Sequence, residues 1–182
     1  ELGRMIREAG IDFNALEEAE FDSPLGTGTG AAVIFGTTGG VMEASLRTVA
    51  EVVAGKELPK LEYNEVRGME QTREAVIDVA GVSVKVAVVH TLKSAKMMLE
   101  RIKAGTADYQ FIEVMACPGG CIGGGGQPVP VDASIRQKRR EAIFNCDRTS
   151  ELRKSHENPE IKTLYDTWLG KPLSERAHSL LH

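Results

Sequence analysis

The sequence predicts an α/β fold: a largely parallel sheet flanked by helices, with a helical C-terminal tail. Three observations lead to this prediction. Short apolar runs of strand length alternate with amphipathic helical segments between residues 31 and 115. Glycine-rich turns follow two of these runs, and the chain after residue 132 is polar with helical spacing of its apolar residues. Alternating strands and crossover helices are typical of parallel sheets, whose ligands gather at the carboxyl ends of the strands.

The first third of the chain predicts a helix, a strand and a second helix. Apolar residues at helical spacing make residues 1–13 amphipathic, and an acidic, then glycine-rich connection follows over residues 14–30. The run AAVIF at residues 31–35 has the length and apolar character of a short strand. The turn GTTGG comes next, and the pattern over residues 41–54 predicts a helix that ends at Gly55.

The middle of the chain predicts a hairpin, a helix and a further strand. Alternating apolar residues at 75–79, a short turn and a β-branched run at 82–89 are typical of a β-hairpin. A helix follows, with Thr91 as its N-cap and Gly105 at its end. The segment YQFIEVM at residues 109–115 then predicts a strand that leads directly into a cysteine-containing loop.

Length and charge restrict the organisation of the chain and its class of partner. With 182 residues it can form one compact body, and we expect an α/β lobe over residues 1–131 with a helical extension, residues 132–182, packed on it. The net charge of −4 gives no electrostatic footprint for nucleic acid. The basic run RQKRRE at residues 136–141 is therefore interpreted as a solvated helix face. No apolar run approaches the roughly 20 residues that span a bilayer, so no membrane span is expected.

Two glycine-rich stretches raise the alternative of an α/β nucleotide-binding module. Gly26, Gly28 and Gly30 precede the predicted strand, whereas a dinucleotide fingerprint places its glycines after a strand and at the start of a helix. GTTGG at residues 36–40 has that position but lacks the Lys and Ser/Thr of a phosphate-binding P-loop. The favoured interpretation is that these glycines let the backbone approach a bulky group or another element closely.

Cys117 and Cys121 carry the sharpest chemical signal, in EVMACPGGCIGGGGQP at residues 113–128. Their spacing differs from that of zinc knuckles and redox dithiols. Thiolates among glycines suit an iron–sulfur cluster, because backbone must approach the cluster and N–H groups can bond to its sulfurs. A cubane needs four ligands, so this loop supplies part of a site; the alternative is two small residues in a tight loop. Cys146 is interpreted as a small core residue.

The same stretch resembles the third cysteine signature of the iron-only ([FeFe]) hydrogenases. Residues 21–49, FDSPLGTGTGAAVIFGTTGGVMEASLRTV, resemble the segment that precedes it in that family, and the similarity continues through KSHENP and GKPLSERAHSLL. The resemblance implies the C-terminal lobe of a two-lobed catalytic domain. This domain encloses the H-cluster, a [4Fe-4S] cubane joined to a diiron centre that carries CO, CN and a bridging dithiolate. The implied activity of the intact parent is reversible H2 oxidation and proton reduction.

The resemblance also implies roles for individual residues. Cys117 is a ligand of the cubane, and Cys121 is the thiolate shared between the cubane and the diiron centre. Met115 faces the diiron centre, so Cys121 and Met115 are the implied catalytic residues. Three residues of the upstream segment line the same cavity: Phe35, Gly36 and Val41.

Two further cysteine signatures of the family are absent from the sequence, and with them two cubane ligands, a proton-delivering cysteine and a cyanide-holding lysine. We therefore expect the chain to need the N-terminal lobe of the same hydrogenase, and to bind no cluster and be inactive by itself. The implied electron partner is a ferredoxin or a nicotinamide-linked subunit. An exposed lobe interface could also pair the isolated chain into a homodimer.

Other roles and compartments stay open at this stage. A hydrogenase-like iron–sulfur scaffold or assembly protein, and an H2-sensing protein without turnover, are the alternatives to a catalytic hydrogenase. Three cysteines cannot form a disulfide framework, and two of them share one loop, which favours a reducing compartment and hence the cytoplasm. A periplasmic location stays open, because a targeting segment could precede Glu1.

Overall fold

A computed structural model describes residues 1–22 and 26–181. In this part of the chain a three-stranded sheet lies among helices. The strands are β1 (Thr72–Val79), β2 (Val82–His90) and β3 (Phe111–Met115). The helices are α1 (Leu2–Glu8), α2 (Gly30–Val33), α3 (Gly40–Ala54), α4 (Leu92–Lys103), α5 (Ala133–Thr149), α6 (Pro159–Leu164) and α7 (Glu175–Leu181). Shorter helical turns lie at Phe13–Ala15, Ile34–Gly36, Asn64–Val66, Cys121–Gly123, Ser155–Glu157 and Tyr165–Leu169.

The sheet is mixed. β1 and β2 form the predicted antiparallel hairpin, and β3 pairs with β2 in parallel so that Met115 lies opposite His90. Ala80 and Gly81 form the hairpin turn with φ of 53° and 86°, as a two-residue turn between right-twisted strands requires. The predicted α/β class is confirmed, but the sheet holds one parallel pair and one antiparallel pair and is not largely parallel.

Residues 31–35 are helical, so the strand predicted there is wrong. α2 covers most of the segment and a 3₁₀ turn completes it. The Thr29 hydroxyl caps this helix by accepting a hydrogen bond of 3.2 Å from the Ala32 amide. Ala31 and Ile34, three positions apart, then point into one cluster with Phe144 of α5. A short apolar run does not distinguish a buried strand from a buried helical turn, and here the cap and the helix partner decide.

Two apolar layers cover the sheet. On one face, α3 packs on β1 and β2 through a buried cluster that includes Met42, Leu46 and Ile77. On the other face, Met98 of α4 packs on β2. The predicted helices over 41–54 and after Thr91 are both confirmed, and Thr91 caps α4 as expected. No helix among residues 1–22 and 26–181 has the length and apolar character to cross a membrane. The predicted connection over residues 14–30 includes residues 23–25, which lie outside the described part.

A partly buried cluster of charges joins α3 to the segment after α5. The Glu51 carboxylate accepts hydrogen bonds from the Leu58 amide at 2.7 Å, the Lys154 ammonium at 2.8 Å and a ring nitrogen of His156 at 2.7 Å. Burial raises the pKa of Glu51, but these hydrogen bonds outweigh it and lower the pKa to about 2. Burial likewise lowers the pKa of Lys154, and its bonds to Glu51 and Glu157 outweigh burial and raise it.

This cluster predicts an acid-dependent loss of stability. Because the folded-state pKa of Glu51 lies below its ordinary 4.5, its contribution is present above about pH 4.5 and is lost as the pH falls toward 2. Glu51→Gln should therefore lower the free energy of unfolding at pH 7, and this difference from the unmodified chain should shrink steadily below pH 4.5. Urea denaturation at several pH values measures it. Glu100→Gln, in an exposed pair 3.8 Å from Lys96, is the control; a Glu51→Gln difference that stays constant with pH would contradict the assignment.

Candidate functional site

The cysteine-containing loop follows β3 and is folded by tight glycine turns. Gly119 and Gly120 have φ of 81° and 92°, a conformation that side chains disfavour. The Gly120 amide donates to the Cys117 carbonyl at 3.0 Å, and the Gly124 amide donates to the Cys121 carbonyl at 3.0 Å. These turns place the two cysteines on one short, compact loop at the carboxyl end of a parallel strand, where ligand sites of α/β proteins occur.

The loop contacts the glycine turn that precedes α3. The Thr38 amide donates to the Gly119 carbonyl at 3.0 Å. A Cβ atom on Gly120 would lie 2.8 Å from the Met115 sulfur and 3.0 Å from the Gly36 carbonyl oxygen, so only glycine allows this approach. The two glycine-rich segments singled out in the sequence thus lie against each other, although the segment before the first one is helical.

Exposure differs among the residues predicted for the site. Cys117 is half-buried and Cys121 is exposed. Met115, Gly36 and Val41 are half-buried, and Phe35 is 46% exposed. Of these, Met115 and Gly36 meet at Gly120.

Cys146 is exposed, and its interpretation as a core residue is wrong. α5 turns Phe144 and Asp147 inward, three positions apart, toward α2 and α3. Cys146 lies between these two positions on a helix, where its side chain leaves the packed face.

Several backbone donors of the loop have no protein acceptor within residues 1–22 and 26–181. They include the amides of Cys117 and Cys121. The loop also carries little side-chain bulk beside the thiols: a Cβ on Gly124 would lie 3.4 Å from the Cys117 sulfur. Thiols, free amide donors and an absence of bulk are the features that an iron–sulfur cluster requires of its surroundings.

His90 holds the turn between the two cysteines. Its ring is buried, and Nδ1 accepts a hydrogen bond from the Gly119 amide at 3.3 Å. Nε2, 3.2 Å from the Met69 carbonyl, therefore carries the proton of the neutral ring. Burial lowers the pKa of His90, despite the opposing effect of that carbonyl, and favours this neutral form. Sequence reasoning missed His90; its place at the end of β2, next to the strand that enters the loop, was the available signal.

Arginines of the basic run at residues 136–141 brace the loop, so its interpretation as a solvated face is wrong for them and holds for the exposed Lys138 and Glu141. The Arg139 guanidinium donates to the carbonyls of Ile122 at 2.8 Å and Pro128 at 2.7 Å. The Arg136 side chain lies beside the loop, since a Cβ on Gly123 would be 2.9 Å from its Cδ. A loop without regular structure leaves carbonyls that need donors, and the forked guanidinium supplies several at once.

Glu113 lies on β3, two residues before Met115, and is the third residue that the sequence did not reveal. Its buried carboxylate accepts hydrogen bonds from the amides of Gly39 at 2.6 Å and Met42 at 2.8 Å. It therefore links the strand that enters the cysteine-containing loop to the first turn of α3.

The fold and this loop define an α/β protein that carries two cysteines in a glycine-rich loop at the carboxyl end of a parallel strand. Comparison with known families agrees: residues 1–125 match the iron only hydrogenase large subunit, C-terminal domain, and residues 133–182 match the iron hydrogenase small subunit. The chain belongs to the iron-only hydrogenase family, and it corresponds to the C-terminal portion of the large subunit.

Individual relatives and solved structures agree with this family. The chain is 48% identical to the NADP-reducing hydrogenase subunit HndD of Solidesulfovibrio fructosivorans, over its whole length and 31% of that protein. It is 40% identical to iron hydrogenase 1 of Clostridium pasteurianum, again over its whole length and 33% of the relative. A structure of [FeFe] hydrogenase HydA1 from Chlamydomonas reinhardtii superposes with a TM-score of 0.73 at 45% identity, covering 99% of this chain and 52% of the other.

The relatives also include a protein named for iron–sulfur assembly. Cytosolic iron-sulfur assembly component 3 of Bos taurus is 28% identical to this chain, over its whole length and 39% of the relative. The chain spans about a third of the first curated hydrogenases that it matches.

Proposed function

We propose that this chain supplies one half of the H-cluster site of an [FeFe] hydrogenase, which interconverts H2 with protons and electrons. The observation that carries the proposal is the loop of Cys117 and Cys121 at the carboxyl end of β3, seated against the turn before α3. Relatives named as hydrogenases, at 40% and 48% identity over the whole chain, support the same function.

The residues present fit part of such a cofactor. Two thiols, unpaired amides and flanking glycines suit one side of a cubane. A cubane needs four ligands, however, and the remaining cysteine, Cys146, is exposed on α5 and does not belong to the loop. The other ligands would come from the N-terminal lobe of the parent, which is the first partner of this chain.

In this proposal each predicted residue has a distinct task. Cys117 would hold the cubane, Cys121 would join it to the diiron centre, and Met115 would face that centre. The lining of the cavity would come from the upstream wall: Phe35, Gly36 and Val41. The cluster, when bound, supplies the redox chemistry. The chain's own residues would bind it, fix its orientation through the glycine turns and keep bulky side chains away from one side of it.

The electron partner and the division of the chain belong to the same proposal. A nicotinamide-linked subunit is favoured over a ferredoxin by the name of the relative HndD, an NADP-reducing hydrogenase subunit. The division into a lobe, residues 1–131, and a helical extension, residues 132–182, is supported by separate family matches over 1–125 and 133–182.

An iron–sulfur assembly or scaffold protein is the second candidate. The match to cytosolic iron-sulfur assembly component 3 over the whole chain favours it, although its identity of 28% is below that of the hydrogenases. CO and CN ligands separate the candidates, because they give infrared bands in a hydrogenase and a cubane alone gives none.

The test compares the chain alone with the complete protein. We expect the isolated chain to contain far less than a stoichiometric amount of iron and to evolve no H2 from reduced viologen, because two cubane ligands are missing. The complete protein should contain the cluster, show CO and CN bands and evolve H2. A complete, cluster-loaded protein without these bands would support the scaffold function instead.

A further inference from the structure

Glu113 forms an unusual helix cap. The first amides of an α-helix have no partner within the helix and are commonly satisfied by a side chain next to them in sequence. In α3 this neighbour is Gly39, which has no side chain to donate or accept. The Glu113 carboxylate takes its place from β3, 74 positions from Gly39 in sequence, with hydrogen bonds of 2.6 and 2.8 Å to the amides of Gly39 and Met42.

Close packing explains why a local cap is excluded. A Cβ on Gly39 would lie 2.2 Å from the Val66 carbonyl oxygen, and Gly39 has φ of 88°. A Cβ on Gly40 would lie 1.6 Å from the Ile34 carbonyl oxygen. Side chains at either position would push the turn away from its neighbours. The cap must therefore come from another element, and the element that provides it is the strand that carries Met115 and leads to Cys117.

Arg73 provides the opposite charge. Its guanidinium is half-buried beside Gly39 and donates to the Thr38 hydroxyl at 3.0 Å, the Val66 carbonyl at 3.1 Å and the Glu70 carbonyl at 2.6 Å. Burial raises the pKa of Glu113, and the amides of Gly39, Met42 and Val41 and the charge of Arg73 offset this only in part. Both carboxylate oxygens accept hydrogen bonds, as expected of the ionised form.

We propose that Glu113 is a positioning residue of the H-cluster site, which fixes the turn at residues 36–42 against the cysteine-containing loop and balances the charge of Arg73 beside it. The proposal rests on the proposed function and adds to it. Glu113 lies two positions from Met115 and four from Cys117. It therefore fixes the position of the turn before α3 relative to the cysteine-containing loop. Its charge and that of Arg73 then contribute to the field in which the cluster changes oxidation state, since nearby charge sets cluster potentials.

The test uses the complete, cluster-loaded hydrogenase that carries this chain. Glu113→Gln keeps the size and shape of the side chain. It presents an NH2 donor to one of the two backbone amides, which are themselves donors, and it leaves the positive charge of Arg73 without its negative counterpart. We expect faster hydrogen exchange at Gly39 and Met42, shifted CO and CN infrared bands, and a cluster potential more positive than in the unmodified protein. Arg73→Gln removes the opposite charge and should shift the potential in the negative direction.

Glu51→Gln is the matched control. Glu51 is also a hydrogen-bonded carboxylate with little exposed surface, and it belongs to α3, but it lies nine residues after Met42, roughly 14 Å along the helix. It should leave the infrared bands and potential unchanged. Unchanged bands and potential in cluster-loaded Glu113→Gln, or shifts of the same sign in Glu113→Gln and Arg73→Gln, would overturn the proposal. The absence of CO and CN bands from the unmodified protein would instead be a failure of the proposed function.

Discussion

Replacing Arg47 by Met should lower the free energy of unfolding by about 3–5 kcal/mol, the range found when one partner of a buried ion pair is removed. The Arg47 side chain has no exposed surface. It donates to both oxygens of Asp147 at 2.7 and 2.8 Å and to Glu43 at 2.7 Å, and so joins α3 to α5. Removal of this guanidinium leaves two carboxylates in the interior without their shared partner.

Neighbouring arginines reduce the loss of stability expected for Arg47→Met but do not prevent it. Arg67 also binds Glu43, at 2.7 Å, and Arg153 binds Asp147, at 2.6 Å. Burial raises the pKa of Asp147, but its bonds to Arg47 and Arg153 outweigh burial and lower it, so the carboxylate is ionised at neutral pH. Without Arg47, the Asp147 carboxylate loses part of the hydrogen bonding that offsets its burial, while its negative charge stays buried.

Urea denaturation at pH 7 measures the effect. Lys96→Met is the control, because the Lys96 side chain is 79% exposed and its nitrogen lies 3.8 Å from Glu100. We expect that substitution to change the free energy of unfolding by less than about 0.5 kcal/mol. If Arg47→Met lost less than about 1 kcal/mol, the cluster would not hold α5 to α3 as described.

The second large effect concerns the thiols, in the complete hydrogenase that we propose contains this chain. Cys117→Ser and Cys121→Ser should each reduce H2 evolution to the background of the assay, because a hydroxyl is a poor replacement for a thiolate in binding iron. Cys146→Ser should keep the iron content and activity of the unmodified protein, since Cys146 is exposed on α5. The three variants change the same atom type at three positions of one chain.

Iron content distinguishes the roles of the cysteines from a general loss of structure. Each loop variant should bind less iron than Cys146→Ser while retaining the same far-ultraviolet circular dichroism. Full iron content and activity in Cys117→Ser or Cys121→Ser would contradict the assignment of that cysteine as a ligand. Loss of iron in Cys146→Ser would mean that a third cysteine of this chain takes part in the site.

Sequence periodicity was sufficient for much of the fold. The hairpin, α3, α4 and β3 each have a pattern that comes from a single face packing on the sheet. The prediction of a strand at residues 31–35 was wrong because their burial is decided by α5, more than a hundred positions away, and not by a local pattern. The parallel sheet was over-predicted for the same reason, since the lost strand would have been one of its members.

The residues of the candidate site likewise fall into those that the sequence could predict and those that it could not. The cysteines and glycines could be predicted because their spacing and density are local features of the sequence. Glu113, His90 and Arg139 could not, because each acts through hydrogen bonds to backbone groups of another segment. Backbone donors and acceptors are present at nearly every position, so no residue pattern shows which one a side chain will reach.

Iron content and infrared spectra of the chain alone, and of the chain joined to its N-terminal lobe, test whether Cys117 and Cys121 form half of an H-cluster site. We expect stoichiometric iron with CO and CN bands in the joined protein, and neither in the chain alone. A stoichiometric iron content with CO and CN bands in the chain alone would contradict it, since the described residues would then hold the whole cluster.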